Sequence, residues 1–144
     1  MKRATSKSSA FAMLVTAGTV LAAGLCGTAP AAGAYQSPGA IIASPDGQTL
    51  YVAEFTGDAV AVINAADGAV TRRIPLPCVQ GGLALSPDGR TLFVPGTTAE
   101  GCVRIVDAAS GEGKGVVAVG HTPVAPVLSP DGATLFVCNR FNND

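Results

Sequence analysis

Side chains suited to chemistry are few in this sequence. One histidine, His121, and four cysteines, Cys26, Cys78, Cys102 and Cys138, stand among 144 residues of which only 13% are charged. A lone imidazole can carry a proton or bind a metal, but a metal centre needs three or four donors and acid-base catalysis needs a correctly placed partner. No second histidine is present. There is also no Ser-His-Asp arrangement, phosphate-cradling glycine loop, Cys-X-X-Cys-His haem site or dinucleotide fingerprint. No catalytic residue, no metal site and no cofactor is therefore expected in this segment. The neighbours Asn139 and Arg140 offer an amide beside a guanidinium, a combination suited to an acidic ligand group. Cys78, His121, Asn139 and Arg140 are the candidates for ligand contact, against the plainer reading of solvated loop residues.

The elements that must position these residues are visible as a repeat. Ser44-Pro45-Asp46-Gly47 recurs as Ser86-Pro87-Asp88-Gly89 and as Ser129-Pro130-Asp131-Gly132, at spacings of 42 and 43 residues. Each tetrad is followed by one variable residue and then Thr-Leu-aromatic-Val, so that seven of nine positions are identical in all three copies. Pro presets the backbone of the second turn position, Asp suits the third, and Gly accepts the positive φ that closes the turn. An apolar run precedes each turn (Ala40 to Ala43, Leu83 to Leu85, Pro126 to Leu128) and a β-rich run follows it. Third and fourth runs, Ala59 to Asn64 with Ala69 to Leu76 and Cys102 to Asp107 with Gly115 to Val119, complete four antiparallel strands per copy. Units of this kind at a period of about 40–45 residues are blades of a β-propeller. Helical repeats are disfavoured, because no copy contains a helix-length stretch free of Pro and Gly.

The expected fold is all-β. Its units are a first blade at about 40–76, a second at about 82–119 and half of a third at about 125–144. Strand direction alternates, so the loops holding Cys78 and His121 fall on one face together with Cys102, Cys138, Glu54, Asp58, Glu100, Asn139 and Arg140. That is the face on which a protein or small-molecule ligand is expected. Cys78 and Cys102 lie at the same end of the second blade and are a possible disulfide. Strand spacing puts about 10 Å between their strands, so bridging requires the Cys78 loop to fold over. Free thiols, or pairing elsewhere, are the alternative.

Residues 1–34 read as an export signal: Lys2, Arg3 and Lys7 precede an uncharged stretch from Ser8 to Leu25, and small residues end at Ala32-Gly33-Ala34. The apolar stretch is short and diluted for a membrane span. Cys26 raises lipidation, but Leu25 before it is larger than such a site takes. The expected location is periplasmic, cell-surface or extracellular, with no membrane span after cleavage. From Tyr35 onward six basic residues face ten acidic ones, scattered over different segments, which argues against a nucleic-acid partner.

Ser-Pro-Asp-Gly-X-Thr-Leu-Tyr-Val at 44 to 52, followed by Val60-Ala61-Val62-Ile63-Asn64, resembles the Tyr-Val-Thr-Asn (YVTN) repeat family, and Leu135-Phe136-Val137-Cys138-Asn139 comes nearest to its eponymous residues. The resemblance covers about Ala40 to Asp144. The Trp-Asp repeat is a poor match, since the chain has no Trp. The YVTN resemblance implies a propeller and leaves its task open among surface-layer, quinoprotein-like and lactonase-like members. Asp144 aligns with Ala59, so two blades and half of a third are expected where a closed propeller takes about four to eight. A fragment or frameshifted remnant of a larger protein is the expected explanation, with closure by oligomerisation as the other. The leading functional expectation is an exported binding or scaffold module. The alternatives are the propeller of a redox protein, quinoprotein-like or cytochrome-fused, and a lactonase-like hydrolase.

Overall fold

A computed structural model describes residues 36–79, 81–96 and 100–141. The leader assigned to residues 1–34 and the final Asn142-Asn143-Asp144 lie outside the described residues. The first sheet is a meander of β1 (Pro38–Ala43), β2 (Thr49–Glu54), β3 (Ala59–Asn64) and β4 (Val70–Pro75). The second repeats it with β5 (Ala84–Leu85), β6 (Thr91–Gly96), β7 (Cys102–Asp107) and β8 (Gly113–Ala118). A third, of two strands, pairs β9 (Pro123–Leu128) with β10 (Leu135–Asn139). Every pairing is antiparallel. The all-β class and the incomplete set of four-stranded blades expected from the repeat are what the structure contains.

The three Ser-Pro-Asp-Gly turns close identically. In each, the serine hydroxyl donates to the aspartate at 2.5 Å, and the backbone N–H two residues beyond the aspartate donates to the same carboxylate at 3.0 Å. The threonine N–H returns a bond to the serine Oγ at 2.9 Å. Gly47, Gly89 and Gly132 take φ of 69°, 72° and 71°, which is why only glycine serves at the fourth position. Successive turns also stack: a Cβ on Gly89 would stand 3.1 Å from Pro45, and one on Gly132 would stand 2.9 Å from Pro87.

Those serine hydroxyls, and then the backbone N–H groups, hold Asp46, Asp88 and Asp131 below the usual carboxylate range. Asp107 is lowered as well, first by Lys114, whose Nζ lies 2.8 Å away, and then by the Ser110 N–H. A carboxyl whose folded pKa is depressed adds stability above its unfolded value of about 3.9, and that stability is lost as pH falls through the folded value. The melting temperature is therefore expected to drop progressively below about pH 4, with these four groups contributing no slope above about pH 5. Scanning calorimetry from pH 7 to pH 2 checks this, and an acid limb unchanged in Asp88→Asn and Asp131→Asn would count against it.

The core lies between the two complete sheets. Tyr51, Ala53, Val60, Val62 and Ile74 of the first meet Leu92, Val94 and Val106 of the second. Alternation explains the choice of residues: in β2 the odd positions face the second sheet, whereas in β6 the even positions face the first. β8, the outermost strand, is exposed along its whole length.

One detail departs from the sequence expectation. The inner strand of the second sheet shrinks to Ala84–Leu85, because Gly81 and Gly82 leave the β region with φ of 88° and 121°. Arg72 and Arg73 of the outer strand β4 are both engaged. Arg72 reaches the turn between β7 and β8, donating to the Ala109 carbonyl at 2.6 Å and to the Ala108 carbonyl at 3.0 Å. Arg73 pairs with Glu54 at 3.0 Å, and Glu54 is only 6% exposed. Arg72→Ala is expected to cost about 1–3 kcal/mol, since hydrogen bonds made by a charged donor are worth that much and the two carbonyls lose their partner. Arg72→Lys should recover only part, because a point charge does not reproduce the fork. Urea titration of the three proteins reads this out, and equal midpoints would refute the strap.

Candidate functional site

Three successive repeats converge at one end of the inner strands around a cleft of about 380 Å³. The first repeat supplies Gly39 and Phe55, the second Gly81 and Gly82, and the third Thr122, Val124, Ala125 and Arg140. The equivalent positions Gly39, Gly81 and Val124 show how the same step in each copy is used to line it. The absence of side chains shapes the cleft. The Phe55 ring fills the space that a Cβ on Gly39 would claim, and the Pro123 carbonyl oxygen fills that beside Gly81. The second and third repeats are tied there by the Ala125 N–H, which donates to the Gly81 carbonyl at 2.6 Å.

The local backbone is unusual at this end. Cys78, Thr122 and Ala125 adopt φ of 61°, 53° and 49°, the left-handed region that ordinary residues enter at a cost. Asp58, itself at φ 46°, accepts a bond from the Cys78 N–H at 2.8 Å. Of these residues, Thr122 and Ala125 line the cleft.

Of the four candidate residues, the structure brings two to one end of the third repeat. Arg140 is exposed, lines the cleft and donates its backbone N–H to the Thr122 carbonyl at 3.2 Å. His121 stands beside it in the fold: its Nδ1 lies 2.7 Å from the Thr122 Oγ1, and its ring meets Phe141 edge-on at 5.6 Å. Asn139, though adjacent to Arg140 in sequence, lines a different cavity, between the second sheet and β10. Cys78 does not line the mouth cleft.

Cys78 and Cys102, a possible pair on the sequence, are both free thiols, as is Cys138. The reason is the strand between them. Val79 bridges to Gly96 on one side of β6 and Cys102 pairs with Gly96 on the other, so the Cys78 carbonyl and the Cys102 Sγ each lie 3.3 Å from where a Gly96 Cβ would stand.

Arg140 is the one charged side chain in the cleft lining, and with the Phe55 ring it defines what the cleft can hold: an acidic group on a small body with an apolar face. Phe55 and the glycines were not singled out by the sequence. The only signal for them was position: Phe55 occupies in the first copy the place Arg140 takes in the third.

No protein-family model matches the chain, and no curated protein matches it. Solved structures do. A segment of Kuenenia stuttgartiensis hydrazine synthase is 30% identical with a TM-score of 0.68, covering 74% of this chain and 30% of that one. A 6-phosphogluconolactonase-like protein from Bacteroides fragilis is 24% identical with a TM-score of 0.63, covering 74% of this chain and 33% of that one. Its counterpart from Bacteroides uniformis is 23% identical with a TM-score of 0.61, covering 75% and 34%. The chain thus spans about a third of the length of the solved chains it matches. Fold and likeness together define it as a stretch of β-propeller.

Proposed function

We propose that this chain is the ligand-binding stretch of an exported propeller of the YVTN type, and that its mouth cleft takes a small carboxylate or phosphate compound. The observation that carries the reading is the convergence of three repeats on one cleft with a single exposed guanidinium, Arg140, in its wall. Export rests on the leader-like residues 1–34, and the repeat type on the Ser-Pro-Asp-Gly-X-Thr-Leu-aromatic-Val pattern.

A panel of citrate, benzoate, gluconate, glucose 6-phosphate and inorganic phosphate, read by thermal shift and titration calorimetry, tests the site. At least one member should bind, and Arg140→Ala should weaken it about tenfold or more, the worth of a charge-assisted bond. Binding that is unchanged in Arg140→Ala, or no binding by any member, would sink the proposal.

A second reading is that the stretch belongs to an enzyme whose reacting groups lie on other blades. The 30% identity to a segment of hydrazine synthase favours it. The lactonase-like alternative draws only the fold from its relatives.

A further inference from the structure

Two polar side chains line the mouth cleft, Arg140 and Thr122; the other lining residues are glycines, Phe55, Val124 and Ala125. Thr122 carries the only hydroxyl among them. It stands at φ 53°, a left-handed conformation that a β-branched residue enters only under constraint. Both of its polar ends are tied. The Arg140 N–H reaches its carbonyl at 3.2 Å, and its Oγ1 lies 2.7 Å from the His121 Nδ1. His121 is exposed and lies outside the cleft lining, with its ring edge-on to Phe141. The hydroxyl therefore connects an imidazole outside the cleft to the wall that carries the guanidinium.

That connection has two senses. An unprotonated Nδ1 is an acceptor, so the Thr122 hydroxyl donates to it and presents only lone pairs elsewhere. A protonated Nδ1 is a donor, so the Thr122 Oγ1 accepts and the hydroxyl hydrogen is released for another acceptor. Imidazole is the side chain whose charge changes between pH 5 and 8. The other ionisable groups around the His121 loop are of different classes. Arg140 lies on the β10 side, and Glu100 precedes Gly101, which packs against Gly120 and Pro123. Guanidinium and carboxylate groups as classes stay charged across that range.

We infer, resting on the reading of the mouth cleft as an anion site, that His121 is a positioning residue there: on protonation it reverses its bond with Thr122, and the freed hydroxyl joins Arg140 in donating to one anionic group. Binding is thereby linked to the uptake of one proton from water. A group with two acceptor oxygens, a carboxylate or a phosphate, suits a hydroxyl beside a guanidinium. The cleft loads such a group in acid and releases it towards neutral pH.

Benzoate and gluconate are the probes, since their carboxylates stay ionised from pH 5.5 to pH 7.5. Titration calorimetry on the full chain should show binding about tenfold tighter at pH 5.5 than at pH 7.5, the worth of one charge-assisted bond. The chain has one histidine, so its imidazole gives a single NMR resonance. The titration midpoint of that resonance should rise by about one pH unit in saturating probe, the linkage equivalent of the tenfold change. His121→Gln should bind equally at both pH values. Thr122→Ala should cut the ratio to about twofold or less, whereas Thr122→Ser, which keeps the hydroxyl, should retain it. Equal affinity of the unaltered chain at the two pH values overturns the inference and leaves the anion site standing; this outcome needs no variant. A tenfold ratio that survives in Thr122→Ala also overturns it, by assigning the effect to the imidazole charge acting directly. Failure of both probes to bind at pH 5.5 overturns it too, whereas the anion site itself falls only if no member of the wider panel binds at either pH.

Discussion

Leu92→Ala is expected to destabilise the chain by about 2–5 kcal/mol, the cost of emptying a fully packed leucine site. Leu92 has no exposed surface and sits in the core between the sheets, against residues of β2, β3 and β4. Against a total of about 5–15 kcal/mol for a domain of ordinary stability, that loss brings the fold close to its limit. Its sequence twin gives the control. Leu50 holds the same place in the first repeat but lies on the face of β2 turned away from the second sheet, and it is only partly buried. Leu50→Ala should cost about 1 kcal/mol, by the smaller area it removes from water. Urea denaturation of both variants separates a cost set by packing between sheets from one set by the repeat's internal pairing. Equal losses would mean that the face-to-face packing is not what holds the two sheets.

Gly81→Ala is the second large expected effect, at about 2–5 kcal/mol. Two independent penalties combine. At φ 88° an L side chain is strained, and the new Cβ would collide with the Pro123 carbonyl oxygen, which is backbone and has no rotamer to escape into. Gly47 and Gly39 separate the two penalties. Gly47, at φ 69°, has nothing within 4 Å of its Cβ position, so Gly47→Ala meets only the conformational cost of about 1–2 kcal/mol. The nearest atoms to a Gly39 Cβ belong to the Phe55 ring, a side chain and not backbone. The order Gly81, then Gly47, then Gly39 in loss of midpoint is the expected outcome. Gly81→Ala should also abolish ligand binding at the mouth, because the second and third repeats no longer approach there.

Much of this architecture is legible in the sequence because the information is local and repeated. Ser44, Pro45, Asp46 and Gly47 each have a conformational reason to stand where they do, and two further copies confirm the register without any long-range knowledge. The four-strand unit follows from the β-rich runs after each turn, Ala59 to Asn64 with Ala69 to Leu76 and Cys102 to Asp107 with Gly115 to Val119. What is not legible depends on contacts between repeats. Nothing in the order of residues shows that Arg72 reaches across to the Ala108 and Ala109 carbonyls, because those partners are chosen by how one sheet sits on the next.

The candidate site divides in the same way. The face bearing Cys78, His121 and Arg140 follows from strand direction alone. The separation of Asn139 from Arg140 into two cavities follows from period-two alternation at the end of β10, but the cavities themselves exist only once Phe93, Ile105 and Val117 are placed opposite. Gly81 and Gly82 are not singled out by the sequence. Their role in bringing the second repeat against the third appears only with the Ala125 N–H bonded to the Gly81 carbonyl.

The central claim is that three repeats build one ligand site at the mouth of the inner strands. Amide hydrogen exchange of the full chain with and without the tightest-binding anion of the panel tests it most directly. The account predicts slowed exchange at Gly39 and Phe55, at Gly81 and Gly82, around Thr122 to Ala125 and at Arg140 in the same sample, with the three Ser-Pro-Asp-Gly turns unchanged. Protection confined to those turns, or to one repeat only, would contradict it.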